Sequence, residues 1–258
     1  MNLKEELIKY CEKNVKTLYQ VIDAFSKQIF NLFRIDILKY PTLSSLAFAI
    51  YRSNFLKDDV KIPLISREMF NLFKKGYTGG ALDVFKPNGE NIFRYDVNSL
   101  YPHVMKECSM PVGNPIFFEG DITKIDKDAF GLFKVDVETP KNLNIPVLQC
   151  KIKTVHGENK TIAPLGTWRG MTHSNEINAY KKYGYKFKIY CGYIFEQSHI
   201  FKEYVESLYE LKLNSEKGSP DYIISKLLMN SLYGRFGMSP IMEQHIIIND
   251  KDLTNFFS

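Results

Sequence analysis

Three polar residues of different chemistry share one face of a predicted helix near residue 230. Lys226, Asn230 and Tyr233 stand at i, i+4 and i+7, so a helix places their side chains next to one another. A lysine, an amide and a phenol presented together suit a phosphorylated ligand with a flat ring, because the ammonium pairs with phosphate and the phenol stacks. The opposite side of this helix is aliphatic and can anchor it to a core through Ile224, Leu228 and Leu232.

Asp96 is a second candidate, because it stands where an alternating stretch ends. The alternation of Phe93, Tyr95 and Val97 predicts a strand over 91–97, paired in a hairpin with 81–85. A carboxylate at the end of a strand, where the chain turns into a helix, can hold a divalent metal rigidly. An Asp at a strand end is also commonly a turn former, so this residue alone leaves both interpretations open.

The tetrapeptide Tyr-Thr-Gly-Gly at 77–80 marks a loop, since two adjacent glycines weaken any regular element. Gly79 and Gly80 fit a tight turn. They fit equally well a backbone surface that a nucleic-acid strand can approach closely. On its own the tetrapeptide does not decide between the two.

Composition narrows the possible classes of protein. The 258 residues, 45% hydrophobic and 14% aromatic, allow a packed core in one large domain, or in a domain plus part of another. A net charge of +5 permits an anionic partner without requiring one. The four cysteines lack metal-ligand spacing, which favours free thiols over a zinc site or a disulfide framework. No apolar run has membrane length, and residues 1–7 fit neither a signal peptide nor a transit peptide.

Hydrophobic periodicity predicts an α+β fold. Helices are expected over 3–33, from about 41, over 66–75, after Pro102, over 173–183 and 200–213, and from Pro220, where Ser219 caps and Asp221 complements the dipole. The middle of the chain, about 111–200, is expected to be rich in strands, with one over 185–195. Residues 245–248 can form a further strand, and Asp250 or Asp252 can cap a last helix.

Taken together, these stretches resemble the motifs of a known enzyme family. Asp96-x-x-Ser99-Leu100-Tyr101-Pro102 and Lys226-x-x-x-Asn230-Ser231-x-Tyr233-Gly234 resemble motifs A and B of family B DNA polymerases. Tyr77-x-Gly79-Gly80 resembles the loop that marks the protein-primed branch, which linear mitochondrial plasmids and related viruses encode. Softer matches to the organellar plasmid members lie at 166–170, 184–195 and 211–212.

The first predicted helix resembles the third proofreading motif of this family, Tyr-x-x-x-Asp. Tyr10 is present, but Asn14 stands where the family has the aspartate. An amide cannot supply the negative charge that a two-metal exonuclease needs at that position. We therefore expect no proofreading activity, and we expect residues 3–33 to serve as a packing helix.

The resemblance implies a partial right-hand polymerase, with palm strands and fingers helices. Residues 1–65 would be the C-terminal helical remnant of an exonuclease domain with its linker, and 66–258 an incomplete polymerase domain. An insertion at about 111–200 would include the part that meets a terminal protein, whose hydroxyl primes synthesis. The thumb would be absent. The same resemblance implies a role in plasmid or viral DNA replication in the mitochondrion.

The implied reaction is template-directed dNTP addition, in which a primer hydroxyl attacks the α-phosphate and pyrophosphate leaves. Two Mg²⁺ ions about 3.5–4 Å apart would be held by the Asp96 carboxylate and the Val97 carbonyl together with ligands from elsewhere. Lys226, and less directly Lys212, would contact the triphosphate. The resemblance implies that Asn230 and Tyr233 contact the nascent base pair. It also implies that Tyr101 lies under the sugar and excludes a 2′-hydroxyl. The residues that it implies near the template–primer backbone are Tyr77, Gly79, Gly80, Ser231, Gly234 and Arg235.

Motif C of the family, a Tyr-x-Asp-Thr-Asp hairpin that brings the second metal-binding carboxylate, is not found in the sequence. Residues 249–252 read Asn-Asp-Lys-Asp, but they follow Gly234 too closely and lack the Tyr and Thr. We therefore expect this chain alone to be inactive. It is either part of a polymerase, as a fragment or as one piece of a split gene whose second polypeptide carries motif C, or a catalytically dead remnant that binds DNA, nucleotide or terminal protein. An unrelated α+β domain with accidental motifs is a third interpretation.

Overall fold

The computed structural model describes residues 3–80, 82, 84, 86–143, 145–157 and 159–239. The helices within these ranges are α1 (Leu3–Phe33), α2 (Leu43–Asn54), α3 (Arg67–Lys75), α4 (Leu100–Glu107), α5 (Ser174–Lys181), α6 (Lys202–Leu213) and α7 (Pro220–Phe236). The strands are β1 (Met110–Glu119), β2 (Gly131–Glu138), β3 (Cys150–Lys153), β4 (Asn159–Ile162), β5 (Thr167–His173) and β6 (Lys186–Ser198). The predicted α+β class is confirmed, and each predicted helix within the described ranges is present.

The chain forms two compact units. The helical unit comprises the described residues of 1–62, 83–114 and 195–238, and the sheet unit comprises those of 63–82, 115–194 and 239–258. This division reflects which residues contact one another in the structure. The functional division of the sequence at residue 65 stays a prediction.

The core of the helical unit forms where α7 packs on α2 and α6. Leu228 and Leu232 of α7 are fully buried there, together with the rings of Tyr51 and Tyr204. The Tyr204 hydroxyl donates a hydrogen bond of 2.9 Å to the backbone carbonyl of Leu228, which fixes α6 against α7. Burial raises the pKa of both tyrosines above the ordinary value, so both phenols stay neutral.

The N-terminus of α7 is held as the sequence predicts. The Ser219 hydroxyl accepts a hydrogen bond from the Tyr222 amide, and Pro220 occupies the first helical position. Asp221 lies in the first turn, where its charge complements the helix dipole, and its carboxylate also accepts a hydrogen bond from the Gln28 amide of α1. This contact connects the C-terminal part of α1 to the start of α7.

The sheet unit is built on a four-stranded sheet in the order β1-β6-β2-β5, in which β2 runs antiparallel to both β5 and β6. Phe133, Val135 and Val137 alternate along β2 and are buried together with Ile177 of α5. The other side of β2 carries Lys134, Asp136 and Glu138 and is polar. Strands β3 and β4 form a separate antiparallel pair. The strand-rich middle of the chain is thus confirmed.

One strand prediction is wrong. Residues 92–97 form no strand, although the alternation of Phe93, Tyr95 and Val97 is typical of one. A strand requires a hydrogen-bonded neighbour, and the described part of the chain offers none to this segment. Its side chains are accordingly exposed, with 78% of Phe93 and 89% of Tyr95 accessible. The predicted partner strand includes residues 81, 83 and 85, which lie outside the described residues, as do the predicted strand at 245–248 and both predicted caps.

Helix α1 packs over only part of its length. Ile29 and Phe33 are buried against the core of the helical unit, whereas Leu7 and Leu18 are more than half exposed. The expectation that 3–33 is a packing helix therefore holds only for its C-terminal turns. Among the described residues, no helix combines the length and the apolar character that crossing a membrane requires.

Candidate functional site

The polar face predicted for α7 is present. Lys226, Asn230 and Tyr233 are all exposed, and the aliphatic residues on the opposite side of the helix are buried. The helix is stabilised by burial of one side, which leaves the other free to meet a ligand. The amphipathic pattern read from the sequence is confirmed.

The two segments that resemble motifs A and B meet in the helical unit. Tyr101 of α4 stacks on Tyr233 of α7, with ring centroids 4.9 Å apart and ring planes inclined by 20°. Both rings are partly accessible, Tyr101 by 55% and Tyr233 by 39%. The sequence places these tyrosines 132 positions apart, so their contact is produced by the tertiary fold.

Lys212 brings a positive charge to the start of α4. Its Nζ lies 3.5 Å from the Ser99 hydroxyl and 5.6 Å from the centroid of the Tyr222 ring. Ser99 precedes α4 in a left-handed conformation, with φ 53° and ψ 44°. The half-buried ammonium group is thus positioned between the segment that follows Asp96 and the first turn of α7.

Asp96 lies three residues before Ser99 in an extended, exposed stretch. Within the described ranges its carboxylate makes no hydrogen bond and no ion pair, so its oxygens are available to a cation. Val97 next to it is 63% exposed. No group of three or more His, Cys, Asp or Glu side chains within those ranges is arranged to hold a metal ion. The donor set fits one ligand position of a Mg²⁺ site, since a hard cation takes several oxygen ligands.

Three further predicted contact residues of α7 differ in their surroundings. The Ser231 hydroxyl donates a 2.7 Å hydrogen bond to the Leu227 carbonyl of its own helix. The Arg235 guanidinium lies 5.8 Å from the centroid of the Phe48 ring, and its Nη1 is 3.5 Å from the Met238 sulfur. Gly234 faces open space, since a Cβ added there would meet no atom within 4 Å. Arg235 is thus partly engaged in packing within the helical unit.

Tyr77, Gly79 and Gly80 belong to the sheet unit and follow α3. Residues 77–80 form no turn, and neither glycine has a positive φ. A Cβ at Gly79 or Gly80 would meet nothing within 4 Å, so the packing of the described chain does not require glycine at either position. A turn centred on the two glycines would include residue 81, which lies outside the described residues, so the tight-turn and accessible-backbone interpretations both stay predictions. Asn14 is exposed on α1.

Sequence reasoning missed two features of the site. The left-handed conformation of Ser99 has no signal in the sequence, because serine rarely adopts it. The rings of Tyr209 and Tyr222 lie within 6 Å of the Lys212 ammonium and were not identified as part of the site. The spacing of Tyr209 three residues before Lys212 could have indicated one of these contacts.

The whole chain matches one family model. Residues 1–257 match the model described as DNA polymerase type B, organellar and viral. The chain belongs to this family. It is 46% identical over 258 residues to a probable DNA polymerase of Neurospora intermedia and 44% identical over 252 residues to one of Ascobolus immersus. Each match covers 97% of this chain, but only 26% and 21% of the two relatives. The chain therefore spans about a quarter of the length of these curated relatives.

Solved structures of Phi29 DNA polymerase share the fold. The complex with single-stranded DNA matches with a TM-score of 0.60 at 22% identity, over 83% of this chain and 38% of that one. A complex with primer-template DNA and incoming nucleotide substrates matches with a TM-score of 0.57, over 75% of this chain and 36% of that one. At this level of identity the likeness concerns the fold alone.

Proposed function

We propose that this chain forms the nucleotide-binding part of the active site of a protein-primed family B DNA polymerase. One observation carries the proposal, namely the stacking of Tyr101 on Tyr233. It brings the segment that resembles motif A against the one that resembles motif B, as a shared dNTP site requires. Family membership and the Phi29 polymerase complexes support the same assignment.

In this proposal Lys212 and Lys226 contact the triphosphate. Both ammonium groups are borne by helices of one unit, so their separation is set by packing rather than by a mobile loop. Tyr101 lies against the sugar and discriminates against a 2′-hydroxyl, because a ring fixed by stacking cannot yield to the additional oxygen. Asn230 and Tyr233 form the surface under the nascent base pair.

Asp96 and the Val97 carbonyl would hold Mg²⁺, which when bound activates the primer hydroxyl and stabilises the charge that develops on the leaving pyrophosphate. One carboxylate neutralises only part of the charge of two dications. The proposal therefore needs a further carboxylate from outside residues 1–258, and a second polypeptide or a longer chain would provide it.

The finer assignments rest on resemblance and are proposed with the same site. The helices around α7 would correspond to the fingers, the segment around Asp96 to the palm, and α1 to the end of an exonuclease domain. Tyr77, Gly79 and Gly80 of the sheet unit would each contact template–primer DNA, as would the C-terminal turns of α7 in the helical unit, and the strand-rich middle would meet a terminal protein. We also propose a mitochondrial location, which immunoblotting of fractionated cells would test.

A second candidate function follows from the absence of a complete metal site among the described residues. A chain in which Asp96 belongs to no such site can bind a nucleotide without incorporating it. It would then act as a catalytically dead remnant that binds DNA, nucleotide or terminal protein. The two candidates differ in whether any added polypeptide restores synthesis.

Primer extension separates the two candidates. The chain is mixed with primed template, dNTPs and Mg²⁺, alone or together with a polypeptide carrying the downstream part of the Neurospora intermedia relative. We expect extension only in the mixture, and we expect Asp96→Asn to abolish it. Asp58→Asn, a matched change at an exposed Asp of the same unit, should leave it unchanged.

Three outcomes have distinct meanings. Extension by the chain alone would contradict the expected inactivity. Extension that survives Asp96→Asn would refute the metal-binding role of this residue. No extension in either reaction would favour the dead remnant, and nucleotide binding would then decide whether the dNTP site exists.

A further inference from the structure

Two tyrosine rings flank the ammonium of Lys212, a residue that the proposed function assigns to the triphosphate. The Lys212 Nζ lies 5.7 Å from the centroid of the Tyr209 ring and 5.6 Å from the centroid of the Tyr222 ring. Tyr209 precedes Lys212 by three residues on α6, so the two side chains share a face of that helix. Tyr222 comes from the first turn of α7. The ammonium is therefore restrained from two helices at once.

A third contact connects the same ammonium to the start of α4. The Lys212 Nζ lies 3.5 Å from the Ser99 hydroxyl, a distance at which a hydrogen bond is weak. The Ser99 carbonyl accepts a hydrogen bond of 2.9 Å from the His103 amide in the first turn of α4, the turn that includes Tyr101. Lys212 thus lies where α4, α6 and α7 of the helical unit come together. Because the hydroxyl contact is weak, the two rings provide most of the restraint.

Tyr222 extends the polar face of α7 by one turn. It stands four residues before Lys226, and Asn230 follows after four more, so the three side chains lie in one row along the helix. Four residues correspond to a rise of about 6 Å along the axis. Since the Lys212 ammonium lies against the Tyr222 ring, it is placed at the N-terminal end of this row, next to Lys226. Two cations in one row suit a chain of phosphates.

The contacts of Lys212 restrain its ammonium without neutralising it. A tyrosine ring and a serine hydroxyl are uncharged, so these contacts leave the positive charge available to an anionic ligand. The first turn of α7 is the positive end of the helix dipole, which is unfavourable for a cation. The negative faces of the two rings offset this repulsion. The charge and the dipole together favour a phosphate group at this position.

We infer that Tyr209 and Tyr222 are positioning residues for dNTP binding, which hold the Lys212 ammonium at the end of the α7 polar face so that it meets the triphosphate. The inference rests on the proposed function and deepens it, because it gives both rings a role that acts through Lys212. The alternative is a role in stability alone, in which the rings only help α6 to pack against α7.

A double-mutant cycle separates these two roles. Binding of a fluorescent dNTP in the presence of Mg²⁺ is measured for the full chain and for Tyr222→Leu, Lys212→Gln and the double variant. Tyr222→Phe keeps the ring and removes only the hydroxyl. The matched control is Tyr19→Leu, which removes a ring from an exposed position on α1. Circular dichroism confirms that each variant is folded.

We expect Tyr222→Leu to weaken dNTP binding about 2- to 5-fold, which corresponds to one cation–π contact at a partly exposed position. In the Lys212→Gln background the same change should weaken binding no further, because the ring then has no ammonium to hold. Tyr222→Phe should retain most of the affinity. Tyr19→Leu should bind like the wild type.

Acylation of lysines measures the positioning without a nucleotide. The full chain is treated with limiting acetic anhydride, and mass spectrometry gives the labelling rate of Lys212 relative to that of the exposed Lys127 in the sheet unit. Loss of the Tyr222 ring makes the Lys212 amine more accessible to the reagent. The ratio should therefore rise in Tyr222→Leu and stay unchanged in Tyr19→Leu.

Wild-type dNTP affinity in Tyr222→Leu would overturn the inference. An equal loss of affinity in the Lys212→Gln background would also overturn it, because the effect of the ring would then not pass through the lysine. So would an unchanged acylation ratio. In these cases wild-type binding that is weakened by Lys226→Gln would still support the proposed function, whereas a folded wild-type chain that binds no dNTP would refute both.

Discussion

Two buried tyrosines beside α7 provide a matched test of the packing that positions the candidate site. The rings of Tyr51 and Tyr204 are both fully buried, and their centroids lie 6.0 Å apart. The Tyr204 hydroxyl donates to the Leu228 carbonyl, whereas the buried Tyr51 hydroxyl has no hydrogen-bond partner within the described part of the chain. Replacing either residue with phenylalanine removes the same single oxygen from almost the same place.

The two substitutions should change stability in opposite directions. Tyr204→Phe loses a buried hydrogen bond and should lower the free energy of unfolding by about 1 kcal/mol. Tyr51→Phe removes a desolvated polar group that gains nothing in return, and should raise it by about 1 kcal/mol. The difference of about 2 kcal/mol corresponds to about 4–8 °C in melting temperature for a chain of this size.

Thermal unfolding followed by far-ultraviolet circular dichroism measures this difference. Five of the seven described helices lie in the helical unit, so the helical signal reports mainly on the unit that contains both tyrosines. Equal destabilisation by the two substitutions would refute the reasoning, because it would mean that the Tyr51 hydroxyl contributes a hydrogen bond.

Two other predictions concern the sheet unit. The Arg169 guanidinium and the Tyr190 hydroxyl hold the pKa of Asp136 at about 2, below its usual value, so this pair stabilises the fold above about pH 4 and ceases to do so as pH falls towards 2. Arg169→Gln should therefore lower the melting temperature at neutral pH, and its difference from the wild type should shrink near pH 2; an equal difference at both pH values would contradict this. A Cβ at Gly192 would lie 2.5 Å from the Leu132 carbonyl oxygen, whereas one at Gly79 would meet nothing within 4 Å. Gly192→Ala should lower the free energy of unfolding, measured by chemical denaturation, by at least about 1–3 kcal/mol, whereas Gly79→Ala should hardly change it. Similar losses in the two variants would show that the backbones of β2 and β6 are less closely packed than described.

The sequence was sufficient to predict those features that depend on residues close together in the chain. The Ser219 cap and Pro220 predict the start of α7, because both act within one turn of the helix. Apolar spacing likewise predicts which face of α7 is buried. These features depend on residues a few positions apart, and the structure agrees with them.

Features that depend on distant partners could not be predicted in the same way. The alternation at 92–97 indicates a strand, but a strand forms only where another can pair with it. The left-handed Ser99 is stabilised by its surroundings rather than by its own propensity. The Tyr101–Tyr233 stacking was not predicted, although the resemblance assigned both residues to one dNTP site, because spacing within either segment says nothing about the other.

The charged side chain on the polar face of α7 can be changed without disturbing the packed side of the helix. Lys226 is exposed, and the aliphatic residues that anchor α7 lie buried on the opposite side of the helix, so removing the charge of Lys226 should leave the fold intact. Lys217, in the loop before α7, is similarly exposed and offers a control with the same change of charge. The effect of each lysine on ligand binding can therefore be compared without a difference in stability.

Binding of a fluorescent dNTP in the presence of Mg²⁺ tests the central claim most directly. If α4, α6 and α7 form a dNTP site, Lys226→Gln should weaken binding about tenfold, the lower end expected for a charge-assisted hydrogen bond at an exposed position. Lys217→Gln should bind like the wild type. Equal affinities for the two variants, or no dNTP binding by a correctly folded chain, would contradict the account.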